Sequence, residues 1–158
     1  MYNLSSSSPS MMNVTATGTG GDGGYGVYNS SSSSSSSSPP SMTGVVATGT
    51  STGTGGNNGY GVYNEFSSSP SMMNVTATGT GDNEGYGVRS EFSSSSSIRT
   101  SALSGSTNSV FNDSGSLAEV AATMLDGVVE AGGGLTCVVS YDENFDDLND
   151  LCGTSILP

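Results

Sequence analysis

The first 88 residues repeat one unit three times, and the copies differ in length. Copy one spans residues 2–27, copy two 28–62 and copy three 63–88. Each opens on Tyr-Asn, passes a serine run, a proline and a methionine, enters a Thr/Gly tract and closes on Gly-Tyr-Gly-Val. Pro9 to Gly20 and Pro70 to Gly81 are the same sequence. A decayed fourth copy begins at Arg89, where Ser90-Glu91-Phe92 echoes Asn64-Glu65-Phe66. Such a repeat is either a stack of coils or a flexible array, and a stack needs a constant period and a recurring apolar face. Copy two is longer at Ser30 to Ser38 and at Thr48 to Gly56. A flexible chain absorbs such expansion, whereas stacked coils are expected to be broken by it.

Composition points the same way. Leu, Ile, Val and Phe fill 27 of 158 positions, while Ser, Thr and Gly fill 34, 16 and 24, and the net charge is −12. An apolar share below about 20% with high net charge marks a disordered chain, because too little surface is buried to offset the backbone ordering cost of roughly 1–2 kcal/mol per residue. The expected fold class is therefore mostly intrinsically disordered, low-complexity Ser/Thr/Gly-rich repeats. Residues 1–88 are read as disordered repeats, 89–115 as a decayed repeat and linker, and 116–158 as an acidic amphipathic mini-module of α or α+β type.

Within that module Ser116-Leu-Ala-Glu119 has capping-box spacing, and Leu117, Val120, Ala121, Met124, Leu125 and Val128 follow at helical spacing. Gly132 to Gly134 supply a stop. A short strand is expected over 135–141. A second short helix is expected over 142–151, with Asp142 as its N-cap. A core of this size is marginal without a staple, metal or partner. Leu117, Val120, Met124, Phe145, Leu148 and Leu151 are accordingly the candidate docking residues for a protein partner.

Function classes fall to simple absences. The chain has no His and no Lys, which excludes Ser-His-Asp or Cys-His catalysis, Schiff bases and a Walker-type loop. Two positive side chains, Arg89 and Arg99, cannot neutralise many phosphates, so neither direct nucleic-acid binding nor an anionic membrane is expected. No cofactor, metal ligand set or catalytic residue is identified, and the protein is read as non-enzymatic. Asp142, Asn144 and Asp146 match the first EF-hand ligand positions, but Asp147 and Gly153 stand where the turn Gly and the closing Glu belong. The start of the chain lacks the basic and apolar regions of a signal peptide, so an intracellular place, nucleus or cytoplasm, is expected. An extracellular place is the alternative if the chain is a fragment. Cys137 and Cys152 are read as small apolar core residues, or as a bridge in an oxidising compartment.

Several patterns carry resemblances. Acids interleaved with Phe145, Leu148 and Leu151 are similar to amphipathic activation segments, and Asp147-Leu148-Asn149 resembles the core of a plant repression motif without its proline. Ser8, Ser38 and Ser69 each precede a proline, and Ser116 and Ser140 have an acid three residues on; these are the candidate phosphorylation sites. Gly-Tyr-Gly at Tyr25, Tyr60 and Tyr86 resembles the spaced aromatics of self-associating prion-like chains, implying weak self-association. Sequons at Asn3, Asn13, Asn29, Asn74 and Asn112 suit a glycosylated wall or mucin-like protein. Thr15, Thr17 and Thr19, and again Thr76, Thr78 and Thr80, alternate with Ala and Gly. Flat Thr ladders of this kind resemble the ice-binding faces of some antifreeze solenoids, although the uneven copy lengths are expected to throw such a ladder out of register. Taken together, the sequence is read as a disordered regulatory protein with an acidic C-terminal docking segment. The alternative is a secreted, glycosylated Ser/Thr-rich structural protein.

Overall fold

The structure, a computed structural model, describes residues 1–4, 8–30, 39–53 and 57–152. Among them are sixteen β-strands and no helix. Every ladder between these strands is parallel. The chain is a β-solenoid, and each sequence repeat is one coil of it.

β1 (Tyr2–Leu4) precedes the first full coil. Coil one is β2 (Ser10–Met12), β3 (Thr15–Gly20) and β4 (Gly24–Ser30). Coil two is β5 (Ser41–Thr43), β6 (Val46–Ser51) and β7 (Asn58–Glu65). Coil three is β8 (Ser71–Met73), β9 (Thr76–Thr80) and β10 (Glu84–Ser90). Coil four is β11 (Ser95–Arg99) and β12 (Ala102–Asn112), in which the second and third strands have fused. Coil five repeats that plan with β13 (Leu117–Ala121) and β14 (Met124–Ala131), and β15 (Gly134–Val138) and β16 (Tyr141–Asp142) begin a sixth. The first strands of the coils make a six-stranded sheet; the second and third strands make two ladders that β12 joins into one ten-stranded sheet.

The disorder expected from composition is thus corrected, and the reason is geometric. A thin solenoid needs about one apolar side chain per face per coil. Met11, Met42, Met72, Ile98, Val120 and Cys137 form one stacked column. Ala16, Ala47, Ala77, Leu103 and Leu125 form the second. Val27, Val62, Val88, Val110 and Val129 form the third. All of these but Val129 are buried, and Val129 packs against them.

Val45 and Val75 are buried as well, at the corner before the second strand, and polar residues fill more of the interior in ladders of their own. Asn29 Nδ2 donates to Asn64 Oδ1 at 2.9 Å, Asn3 donates to Asn29 at 2.7 Å, and Asn64 donates to Ser96 Oγ at 3.2 Å. Such buried polar atoms cost little when each meets its partner in the next coil. Glycine has a steric task as well. A Cβ on Gly18, Gly49, Gly79 or Gly105 would overlap the carbonyl oxygen of Tyr25, Tyr60, Tyr86 or Asn108. The second and third ladders therefore meet backbone to backbone, where only glycine fits.

Unequal copy length does no harm, because the expansions fall between strands. Ser31 to Ser38 lie between β4 and β5, and 52–57 lie between β6 and β7. Both strand ends of each insertion keep their register: Tyr25 pairs Tyr60, and Thr48 pairs Thr17 and Thr78. The corner from the first to the second strand is fixed by one left-handed residue per coil: Asn13, Gly44, Asn74, Thr100 and Ala122, with φ between 47° and 62°. Asn and Gly adopt that conformation at least cost, which explains the Met-Asn-Val step of copies one and three.

The helix expected from Ser116 is also corrected. Leu117–Ala121 is a strand, with Val120 inserted between Ile98 and Cys137. The Ser116 hydroxyl accepts the Ser94 N–H of the coil below at 3.2 Å rather than capping a helix. Stacking on preceding coils outweighs the local capping-box preference, as tertiary context commonly does. The second expected helix is instead a turn that folds back over the end of the stack. Tyr141 bridges Asp147 in antiparallel fashion, Leu148 N–H donates to Ser140 O at 2.8 Å, and Cys137 N–H donates to Asp150 O at 2.9 Å. Cys137 and Cys152 are joined in a disulfide, so this terminal cap is stapled to β15.

Candidate functional site

Two outer faces of the solenoid carry ordered rows of functional groups. The first is the outside of β3, β6 and β9. Alternation puts Ala16, Ala47 and Ala77 inward, and so turns the threonines outward. Register then aligns them in columns: Thr17, Thr48 and Thr78; Thr19, Thr50 and Thr80; and Thr15, Val46 and Thr76. Strands lie about 4.8 Å apart, and alternate residues about 6.6 Å apart along each strand. The result is a nearly rectangular grid of hydroxyl and methyl groups. No charged residue occurs in these three strands. Thr15, Thr17, Thr19, Thr76 and Thr80 are exposed, and Thr48, Thr50 and Thr78, flanked on both sides, are half-buried. The middle column continues into Ser104 and then Asp126, whose carboxylate accepts the Ser104 hydroxyl at 2.9 Å.

The second face lies outside β4, β7, β10 and β12. Tyr25, Tyr60 and Tyr86 stack with centroids 4.8 and 5.5 Å apart and interplanar angles of 7° and 8°. Beside them run Tyr2, Tyr28, Tyr63, Arg89 and Phe111 in register. The Arg89 guanidinium lies 4.6 Å from the Tyr86 ring centroid and 4.8 Å from that of Phe111, and it pairs with Glu91. Tyr28 donates to Glu65, Tyr63 to Glu91 at 2.6 Å, and Tyr86 to Glu84. Burial, reinforced by the Glu65 carboxylate, pushes the Tyr28 phenol up to about 12; burial and acidic neighbours raise Tyr63 and Tyr86 further. The Arg89 guanidinium is held above its ordinary value, because the hydrogen bond and charge of Glu91 outweigh burial. This face is built for itself. Its rings cover one another's flat sides and its carboxylates are engaged by its own hydroxyls. The tyrosines expected to stick between molecules stack within one.

The residues expected to dock a partner do not form one surface. Val120 is fully buried, Leu117 is exposed on the outside of β13, and Met124 starts β14. Leu148 packs on the core from the cap, while Phe145 and Leu151 are 74% exposed on it. Asp142 caps the turn, its carboxylate accepting the Asn144 and Asp146 N–H groups at 2.8 and 2.9 Å. Among the described residues no group of three His, Cys, Asp or Glu side chains is arranged for a metal ion. Of the candidate phosphorylation sites, Ser8 is exposed, Ser69 is half-buried, and Ser116 and Ser140 are fully buried. Ser38 lies outside the described residues. The sequons divide likewise: Asn29 and Asn112 are interior, and Asn13 and Asn74 stand exposed at matching corners.

Reading the sequence alone missed the asparagine ladder and the third strand of the threonine grid. Both were signalled by comparing copies: the Tyr-Asn that opens each one, and Val46-Ala47-Thr48-Gly49-Thr50 beside Thr76-Ala77-Thr78-Gly79-Thr80. No family model, no curated protein and no solved structure matches the chain.

Proposed function

We propose that the protein is a non-enzymatic binding solenoid whose threonine face engages an ordered water surface, that of ice. The observation that carries this reading is the in-register, uncharged grid of Thr15 to Thr19, Val46 to Thr50 and Thr76 to Thr80. The methyl groups offer an array that orders water between them, and the hydroxyls hydrogen-bond that water in place. A rigid β-scaffold holds the grid before binding, so little ordering entropy is lost on contact. The misalignment expected from unequal copies does not occur, which restores the likeness to ice-binding faces. A flexible spacer with a docking segment requires unfolded repeats and is set aside; so is a glycosylated mucin-like chain, since the sequon residues Asn29 and Asn112 are interior. The stapled cap suits an oxidising compartment, and we place the protein there.

The test is thermal hysteresis and ice recrystallisation by the full chain. The wild type is expected to shape ice crystals and slow recrystallisation. Thr48→Tyr with Thr78→Tyr is expected to abolish both while leaving the circular dichroism unchanged. Ser97→Tyr, on the six-stranded sheet, is expected to retain them. A wild type without effect on ice growth contradicts the reading.

A further inference from the structure

The outside of the six-stranded sheet, β2, β5, β8, β11, β13 and β15, is a third face, and it differs from the other two in what it leaves uncovered. Alternation turns the column that Met11 begins into the core, and so turns the residues on either side of it outward. Register sets Met12, Thr43, Met73, Arg99, Ala121 and Val138 in one outer row. Ser71, Ser97, Glu119 and Thr136 share the row beside it, and Leu117 points to the same side of β13. Met12, Met73, Leu117 and Val138 are between 46% and 68% exposed. The threonine grid shows water hydroxyls and methyls, and the tyrosine rings cover one another. Here large apolar side chains lie open on one flat sheet, the mark of an interaction surface.

The charge of this face is unlike that of the molecule. The chain carries −12, so two copies repel over most of their surface. The six strands hold only one acid and one base, Glu119 and Arg99, and both are exposed. Arg99 pairs in register with Ala121, two residues beyond Glu119, which puts the two charges about 8 Å apart along the sheet. Among the described residues neither forms an ion pair. Arg89, the other arginine, is held by Glu91 and covered by Tyr86 and Phe111. Arg99 is therefore the arginine open to another molecule, and it stands beside an equally open carboxylate.

We infer that this face is where a second copy of the chain docks, about a two-fold axis that lies in the contact plane midway between Arg99 and Glu119. Such an axis sets Arg99 of each copy on Glu119 of the other, so the same pair is made twice. The face that carries no net charge is also the face on which two acidic copies can meet. Glu119 borders two shallow depressions. One is lined by Pro70, Ser95, Ser97 and Leu117, the other by Arg99, Ala121, Thr136 and Val138. Their small floor residues leave room for the arginine stem and the apolar side chains of the other copy. Six strands of three to five residues make a face roughly 29 Å long and 10–17 Å wide. Full contact buries at most about 800–1,000 Å² over both copies, the scale of a weak, reversible dimer.

The experiment is sedimentation equilibrium of the full chain, from low micromolar concentration up to about 1 mM. The wild type is expected to show a monomer–dimer equilibrium. Arg99→Glu creates two like-charged contacts and is expected to weaken association at least about ten-fold; Glu119→Arg does the same with the opposite sign. The double variant, Arg99→Glu with Glu119→Arg, is expected to restore association to within about three-fold of the wild type. Both side chains are exposed, so the thermal midpoints of all three variants should match that of the wild type. A chain that stays monomeric throughout overturns the inference. So does a dimer indifferent to either single reversal, or a double reversal that fails to restore it. A dimer lost instead in Thr48→Tyr with Thr78→Tyr places the contact on the threonine grid and overturns it equally. None of these outcomes reads ice growth, so this inference and the proposed function fail separately.

Discussion

In coils one to three like stacks on like. Met11, Met42 and Met72 share one column, Ala16, Ala47 and Ala77 a second, and Tyr25, Tyr60 and Tyr86 an outer third. In coils four to six the same columns are mixed. Ile98, Val120 and Cys137 continue the methionines, Leu103 and Leu125 the alanines, and the tyrosine column ends at Asn108. The first region is held by repetition and by glycines that let two ladders touch. The second is held by bulkier side chains, by fused strands and by a disulfide. A chain poor in apolar residues can thus fold where each coil is a template for the next. It needs heterogeneous packing and a covalent staple where the stack must stop.

The sharpest way to break this comparison is to add one carbon to the pinch in the repeats. Gly79→Ala places a Cβ against the Tyr86 carbonyl. It is expected to cost about 3 kcal/mol, at the upper end for overpacking, read as a lower urea midpoint. Gly21→Ala, where nothing lies within 4 Å of the added carbon, should change stability by no more than ~0.5 kcal/mol. At the other end, Cys137→Ser with Cys152→Ser opens a loop of sequence separation 15, worth about 3 kcal/mol in the chain-entropy account. Amide exchange should then rise in 134–152 first and leave β6 and β9 protected. Asn64→Ala removes the acceptor of Asn29 and the donor to Ser96. It is expected to cost about 2 kcal/mol, the range for stranding a buried polar group.

The smallest effect is on pH. Because the folded chain holds the Tyr28 phenol neutral up to about 12, while an unfolded tyrosine ionises near 10, the unfolded state loses its proton first. Stability from this group is complete below about pH 10 and is lost as pH rises towards 12. Tyr28→Phe should flatten that alkaline decline in a pH series of unfolding midpoints.

Much of the architecture was written in the repeats but read through the wrong rule. The copy boundaries and the Thr alternation were visible in sequence, and each copy proved to be a coil. What misled was an apolar threshold suited to cores several side chains thick, whereas in the repeats this core takes one Met, one Ala and two Val per coil. Glycine counted only towards a low-complexity composition, although at Gly49 and Gly79 it is forced by a neighbouring carbonyl. Ser116 and Glu119 carried a local helix signal that the strand below overrode. The terminal disulfide was left open by the sequence, since two cysteines of any spacing are compatible with free thiols. The threonine grid needed the register of three coils, which no single copy contains.

The central claim is that the Ser/Thr/Gly repeats are stacked strands rather than flexible chain. Amide hydrogen exchange of the whole protein at neutral pH, resolved over Val46–Ser51 and Thr76–Thr80, tests it most directly. Strong protection along both segments, each of which has a strand on either side, lost together in one cooperative unfolding step, is the predicted result. Exchange at the rate of an unfolded peptide in these segments, with protection confined to residues beyond 116, would contradict it.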